Sequence, residues 1–163
     1  MKQKMKRRLL GILAAVPVLL IACMIFWFSS ETAEQSRKVS GTLTRQILRI
    51  VISDYDELPE EEQTALVQKL HFWIRKAAHL TEYLLFGVSA AGCFIIWKVK
   101  FPFLTAQICG SLYAVTDEVH QLFVDSRSGE LRDFLIDSFG VLLGVLLCRC
   151  VCVIYRKKKK RDA

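Results

Sequence analysis

Apolar residues fall along the chain into four blocks of about 20 residues, and polar segments separate the blocks. The blocks cover residues 9–28, 77–97, 101–123 and 134–155. A helix of about 20 apolar residues is long enough to cross a hydrocarbon core ~30 Å thick. The pattern therefore predicts an all-α integral membrane protein, a bundle of four transmembrane helices, and argues against a soluble globular domain.

The boundaries of the blocks indicate how the helices connect. No small-residue cleavage site follows the first block, only Ser29, Ser30 and Glu31, so we interpret it as a retained span rather than a removed signal peptide. Lys98 and Lys100 mark a tight turn between the second and third blocks. Those two helices are therefore predicted to be antiparallel neighbours.

The segment between the first two spans, residues 29–76, is predicted to be an outer loop with helical structure. Its residues Val39, Leu43, Ile47 and Val51 recur at four-residue spacing, which is typical of an amphipathic helix at a membrane interface. Pro59 and the three glutamates after it indicate a second helix start. The predicted organisation is a basic tail (1–8), a membrane domain (9–155) and a second basic tail (156–163).

Charge separates the two sides of the predicted bundle. The chain is 53% apolar, 24% charged and carries a net charge of +7. The two tails, the tight turn and Arg149 hold 14 basic residues against one acid, Asp162, and the remaining chain holds nine against 15 acids. Because short cytoplasmic segments are rich in Lys and Arg, we predict a multi-pass cell-membrane protein with both termini cytoplasmic. Basic tails of this kind suit anionic lipid, and we predict no nucleic-acid partner.

All six cysteines lie inside the apolar blocks rather than in the outer loop. This placement does not correspond to a disulfide framework. Cys148 and Cys152 share a helix face, but the C-x-C-x-C spacing offers no tetrahedral metal site. We interpret the cysteines as apolar thiols in the membrane.

Ionisable residues gather at one end of the second, third and fourth predicted spans. In the second span Arg75, His79 and Glu82 share one helix face, because they are four and three residues apart. In the third span Asp117 and Gln121 share a face, with Glu118 and His120 beside them. In the fourth span one stripe holds two acids and a small-residue packing surface: Asp133, Asp137, Gly140 and Gly144.

The predicted topology places all these groups at the outer end of the bundle. A charge in hydrocarbon costs about 3 kcal/mol or more, so the groups should face inward and pair with each other or meet water. One interpretation is that these pairs are purely structural and hold the helix ends together. Packing alone, however, does not need so many charges at one depth. We therefore predict a polar pocket at the outer leaflet. Its candidate catalytic residues are His79, Glu82, Asp117 and Glu118, and its candidate substrate-binding residues are Arg75, Gln121, Arg127, Asp133 and Asp137.

Neither a cofactor nor a metal is predicted for this pocket. The sequence has no H-E-x-x-H motif, no glycine-rich phosphate loop and no evident nucleophile motif. Acids with one histidine do suit hard cations, and Glu82, Asp117, Asp133 and Asp137 are the residues that would hold one. The spacing alone does not favour that set.

Three separate motifs resemble the VanZ-like family. They are Arg75-Lys76-Ala77-Ala78-His79-Leu80-Thr81-Glu82-Tyr83, then Asp117-Glu118-Val119-His120-Gln121-Leu122-Phe123, then Arg127-Ser128-Gly129-Glu130-Leu131-Arg132-Asp133 followed by Asp137-Ser138-Phe139-Gly140. Asp125-Ser126 departs from the pattern, since many relatives have proline and glycine there. The resemblance implies a bacterial integral membrane protein, in a family whose named member lowers susceptibility to the glycopeptide teicoplanin.

Three functions agree with this pattern. The first is a binder of a membrane lipid, a lipid-linked envelope precursor or a lipophilic glycopeptide, which needs the pocket but no proton chemistry. The second is a membrane-embedded enzyme that modifies a lipid-linked substrate by general acid and base chemistry. The third is a proton-coupled carrier. A carrier needs a polar path across the membrane, and Arg149 is the only ionisable group in the inner halves of the spans, which argues against this function. Each of the three functions is compatible with an oligomer of this protein.

Overall fold

The computed structural model describes residues 2–127 and 129–162, so Met1, Ser128 and Ala163 of the predicted segments lie outside the described residues. The described chain forms five α-helices and no strand. The helices are α1 (Lys2–Ser29), α2 (Ala33–Val51), α3 (Glu60–Ile96), α4 (Pro102–Gln121) and α5 (Leu131–Arg161), with one short 3-10 helix at Tyr55–Glu57. The predicted all-α fold class is confirmed.

Three segments are long and apolar enough to cross a membrane: Arg8–Ser29 in α1, all of α3 and all of α5. The helix α4 is not among them, although the third apolar block coincides with it. Gln107, Asp117 and Glu118 lie within its 20 residues and lower its mean hydropathy. The three apolar helices are those of a membrane protein, and the fourth crossing stays a prediction.

The helix α3 is much longer than the second predicted span. Its 37 residues correspond to about 55 Å, against ~30 Å of hydrocarbon. It begins after Pro59 with Glu60, Glu61 and Glu62 in its first turn, where acids favour the positive end of the helix dipole. Only part of α3 can therefore lie in hydrocarbon, and the first turns of α3 extend beyond the hydrocarbon.

The helix α2 turns a polar stripe toward the protein and an apolar stripe away from it. Thr32 and Gln35 form a capping box at its start, with Thr32 N donating to Gln35 Oε1 at 2.9 Å. Small and polar side chains are buried on the side that packs against α3: Ala33, Ser36, Ser40 and Thr44, followed by Leu48. The predicted apolar residues Val39, Leu43, Ile47 and Val51 are exposed.

The core of the bundle forms where α3 packs against α1, α4 and α5. Large buried side chains alternate with alanines that let the helices approach: Ile25, Tyr83, Phe86, Ala90, Ala91, Ala106, Ala114, Val141 and Val145. The ring of Phe86 stacks on Tyr113 with centroids 5.3 Å apart, and the Tyr113 hydroxyl donates to the Ala22 carbonyl at 2.6 Å. These contacts fix the depth of α4 relative to α1 and α3.

The closest approach of two helices is between α3 and α5, which run parallel. Gly140 faces the carbonyl of Leu80, and Gly144 faces the carbonyl of Leu84 and the backbone nitrogen of Val88. A β-carbon at either glycine would collide with this backbone. The small-residue stripe predicted on the fourth span is therefore a surface that packs directly on α3.

Two turns reverse the chain around α4. Lys98 in the α3–α4 turn has a φ of 57°, and the Trp97 indole in the same turn donates to the Gly11 carbonyl of α1 at 2.9 Å. Ser126 in the α4–α5 loop has a φ of 60°. Glycine adopts this left-handed conformation without steric cost, so a glycine would suit position 126.

Candidate functional site

The candidate site lies where α1 ends, α3 passes, α4 ends and α5 begins. Hydrogen bonds connect the end of α1, α4 and the segment before α5: Ser29 to Asp117, Arg127 to the Phe28 carbonyl, and the Glu130 amide to Glu118. Because α4 ends and α5 starts at this level, their polar residues meet the middle of α3. The three polar stripes of the sequence therefore converge at one end of the bundle.

Lys76 and Asp133 form an ion pair between α3 and α5. Only 8% of Lys76 is exposed, and its ammonium group also lies 5.3 Å from the centre of the Phe72 ring. Lys76 was not among the site residues predicted from the sequence, because it lies off the helix face shared by Arg75, His79 and Glu82. Its position three residues before His79 was the signal available.

Asp117 is buried at the contact of α4 with the end of α1. Ser29 Oγ donates to Asp117 Oδ2 at 2.8 Å, and Gln121 Nε2 lies 3.4 Å from the same oxygen. The other oxygen, Oδ1, has no hydrogen-bond partner. The buried Tyr83 hydroxyl also has no hydrogen-bond partner. Ser29 was not among the site residues predicted from the sequence.

His79 and Glu82 lie side by side on α3 without a hydrogen bond. His79 Nδ1 is 4.0 Å from Glu82 Oε2, and neither atom has a partner. This distance is too long for direct proton transfer between the two groups. Both side chains instead remain available to a ligand or to water.

Glu118 lies apart from the other candidates. Its Oε2 accepts a hydrogen bond of 2.8 Å from the Glu130 amide, which fixes the loop at the start of α5. It lines a different cavity, which it shares with apolar residues such as Val115, Leu122 and Leu131. The geometry gives Glu118 a local contact in this loop rather than a place beside His79.

Two cavities adjoin at the site. The first has a volume of about 140 Å³, and its walls are mainly apolar: Phe28, Val39, Leu43, Ile74 and Ala78, with Ser36, Ser40, Glu31 and Glu82. The second has about 180 Å³, and its walls are mainly polar: Arg37, Lys76, Gln121, Ser126, Glu130 and Asp133, with Ala33 and Phe72. Arg75, His79 and Arg127 line both cavities and form the boundary between them.

Arg127 contributes an incompletely paired cation to this boundary. One of its terminal nitrogens donates to the Phe28 carbonyl at 3.2 Å, while its Nε has no partner. Burial lowers the pKa of the Arg127 guanidinium from its ordinary value, and the positive charge of Arg75 acts in the same direction. Since a guanidinium stays protonated in proteins, an anion beside Arg127 would relieve this unfavourable environment.

Asp137, a predicted binding residue, lines neither cavity and lies beneath them. It and Asp117 face His79, and each of the three offers one ligand atom within 4.8 Å of the other two. Among the described residues this is the group whose chemistry could hold a metal ion. Asp133 and Asp137, which were predicted on one face of the fourth span, thus have different surroundings. Asp133 lines the polar cavity, and Asp137 lies deeper in the bundle.

Comparison with known proteins identifies one family. The model of the family described as VanZ/LLP1 matches residues 14–154, which include every candidate site residue. No curated protein and no solved structure matches the chain.

Proposed function

The chain belongs to the VanZ/LLP1 family, and from that premise we propose that it binds an anionic lipid or lipid-linked precursor of the cell envelope at the outer leaflet. The family links the chain to glycopeptide resistance. One observation carries the proposal: an apolar cavity and a polar cavity adjoin and share Arg75, His79 and Arg127. A phosphate-bearing amphiphile has the same division between chain and headgroup.

The polar cavity suits an anionic headgroup. Its basic residues are Arg37, Arg75, Lys76 and Arg127, and Lys76 is already paired with Asp133. In the part of the chain that the structure describes, Arg75 and Arg127 form no ion pair. Two guanidinium groups beside one cavity provide the planar donors that recognise phosphate.

The apolar cavity suits the first part of an acyl chain. Val39 and Leu43 of α2 form one wall, and Ile74 and Ala78 of α3 form another. Its volume of about 140 Å³ is too small to enclose a whole lipid. The rest of the acyl chain would extend into the bilayer along the exposed apolar stripe of α2.

The proposal includes four membrane crossings, with both termini cytoplasmic. An apolar, exposed stripe follows α4 over most of its length: Leu104, Ile108, Leu112, Val115 and Val119. Asp117, Glu118 and Gln121 of α4 are buried instead, and Gln107 donates to the Ser138 carbonyl of α5 at 3.2 Å. A low mean hydropathy therefore does not exclude a crossing, since lipid contacts only the apolar stripe.

Cysteine labelling tests this topology. In a cysteine-free background, a membrane-impermeant reagent should modify Glu60→Cys in intact cells, and Gln3→Cys and Asp162→Cys only after permeabilisation. If one of the two terminal cysteines reacts in intact cells, the chain crosses the membrane an odd number of times. Labelling of Glu60→Cys only after permeabilisation would reverse the orientation.

Native mass spectrometry tests lipid binding. Detergent-solubilised protein is titrated with phosphatidylglycerol and, separately, with zwitterionic phosphatidylcholine. Wild type should retain the anionic lipid at least tenfold more strongly, and the double variant Arg75→Gln/Arg127→Gln should lose this preference. The control Arg45→Gln changes an exposed arginine of α2 outside both cavities and should bind as wild type does. Equal binding of phosphatidylglycerol by wild type and the double variant would contradict the proposal.

An enzyme is the second candidate, and one observation favours it. His79 Nδ1 and Glu82 Oε2 face the apolar cavity wall without partners, so either group can accept or donate a proton to a bound substrate. The same mass spectra separate the two functions. A lipid whose mass is altered only by wild type, and not by Glu82→Gln, would favour catalysis over binding.

A further inference from the structure

His79, Asp117 and Asp137 come from three different helices and meet beneath the two cavities. Each offers one ligand atom, and these atoms all lie within 4.8 Å of one another. Ligand atoms about 2.1 Å from one ion are separated by roughly 3 to 4 Å, so a small rotation of the side chains would bring all three atoms within bonding distance of one ion. The helices α3, α4 and α5 thus bring together one imidazole and two carboxylates.

The two carboxylates are buried without a neutralising partner. Asp117 is 3% exposed and Asp137 is 2% exposed. Lys76 pairs with Asp133, and in the described residues neither Asp117 nor Asp137 forms an ion pair. Two buried carboxylates so close together repel each other strongly unless a cation or a proton lies between them.

The free atoms of the cluster point to a ligand rather than to packing. Asp117 Oδ1 and His79 Nδ1 are both buried and have no hydrogen-bond partner. The opposite oxygen of Asp117 accepts from Ser29 and Gln121, which would hold the carboxylate in place while Oδ1 stays free. Metal-ligating carboxylates are commonly oriented in this way by a second set of hydrogen bonds.

We propose that His79, Asp117 and Asp137 bind one divalent cation of the Zn²⁺ or Mn²⁺ class. Imidazole nitrogen favours transition metals and carboxylate oxygen favours harder cations, and this mixed set suits both ions. Two carboxylates and a neutral imidazole match the charge of a divalent ion. Three protein ligands leave coordination positions open, and His79 lines both cavities above the cluster. The proposal stands independently of lipid binding.

Metal content and titration test the site. The full-length protein, purified in detergent and treated with a chelator, is incubated with ZnCl₂ or MnCl₂, desalted and measured by inductively coupled plasma mass spectrometry. Wild type should take up about one equivalent of one of these ions. Asp117→Asn, Asp137→Asn and His79→Gln should each bind it at least 100-fold more weakly. The control Glu118→Gln, one residue from Asp117 on the same helix, should bind as wild type does.

Thermal unfolding separates a metal site from a structural cluster. Added ion should raise the melting temperature of wild type and of Glu118→Gln but not that of Asp137→Asn, because a ligand that binds only the folded state stabilises it. The metal-free Asp137→Asn protein should be as stable as metal-free wild type or more stable, since it removes an unpaired charge. A wild type that takes up neither ion would overturn the proposal whatever the variants do. Equal uptake by wild type and all three variants would also overturn it.

Discussion

The packing of α5 on α3 predicts a large effect from a single methyl group. Gly140→Ala would place a β-carbon 2.7 Å from the Leu80 carbonyl oxygen and 3.0 Å from Tyr83 Cβ. The neighbour at 2.7 Å is backbone, so no side-chain rotation relieves the contact. The two helices must separate instead.

The size of the effect follows from these distances. A carbon and a carbonyl oxygen in contact are normally at least about 3.3 Å apart, so α5 must move away from α3 by about 0.6 Å. Inserting a methyl group into a packed interior costs about 1–3 kcal/mol. We expect Gly140→Ala to lower the free energy of unfolding by about 2 kcal/mol, and Gly144→Ala, whose contact with Leu84 is closer, by more.

Gly92→Ala is the matched control for this experiment. Gly92 also lies within a helix, α3, but a β-carbon there meets no atom within 4 Å. Alanine in place of glycine at an open helical position is stabilising by roughly 0.5–1 kcal/mol. Unfolding in mixed micelles with increasing denaturing detergent measures all three variants. If Gly140→Ala and Gly92→Ala shift the transition in the same direction and by the same amount, the close packing of α3 on α5 is wrong.

Three further predictions concern single side chains. Lys76→Met should lower the free energy of unfolding by about 3 kcal/mol because it leaves the partly buried Asp133 without its partner. Adding Asp133→Leu should restore part of the loss in the same unfolding assay. Leu146→Ala should change the free energy of unfolding by less than about 0.5 kcal/mol, since lipid replaces the contacts of this exposed side chain. A larger loss would mean that Leu146 packs against protein. Glu82→Gln and His79→Asn should reach the membrane at normal levels but lose protection against a lipophilic glycopeptide in a susceptibility assay. Unchanged susceptibility in both variants would mean that these residues have only a structural role.

The sequence predicted the helices well because each apolar block is long and ends at charged residues. It placed the ionisable residues of α3, α4 and α5 at one end, and His79, Asp117 and Asp137 meet there, whereas Glu118 lines a separate cavity. The turn at Lys98 and the glycine stripe of α5 were also predictable, since a tight connection and small residues at four-residue spacing have few alternatives. Local pattern was sufficient for these features.

Other features depend on contacts between distant segments and were not predictable from local pattern. The low mean hydropathy of α4 reflects groups such as Gln107 and Asp117 that face neighbouring helices, and hydropathy alone does not show this. Lys76 lies off the predicted inward face of α3, but α5 passes on that side and supplies Asp133. The grouping of Asp137 with His79 and Asp117 requires the relative depth of three helices. That depth is set by the packing of Gly140, Gly144 and Tyr113.

Photocrosslinking of a bound lipid tests most directly the claim that the two cavities hold an anionic amphiphile. A phosphatidylglycerol with a diazirine on the acyl chain close to the headgroup is reconstituted with the protein, irradiated, and its attachment sites are mapped by peptide mass spectrometry. We predict attachment concentrated at Val39, Leu43 and Ile74, and lost in Arg75→Gln/Arg127→Gln. Attachment spread evenly over exposed apolar residues of α4 and α5, and unchanged in the double variant, would contradict the account.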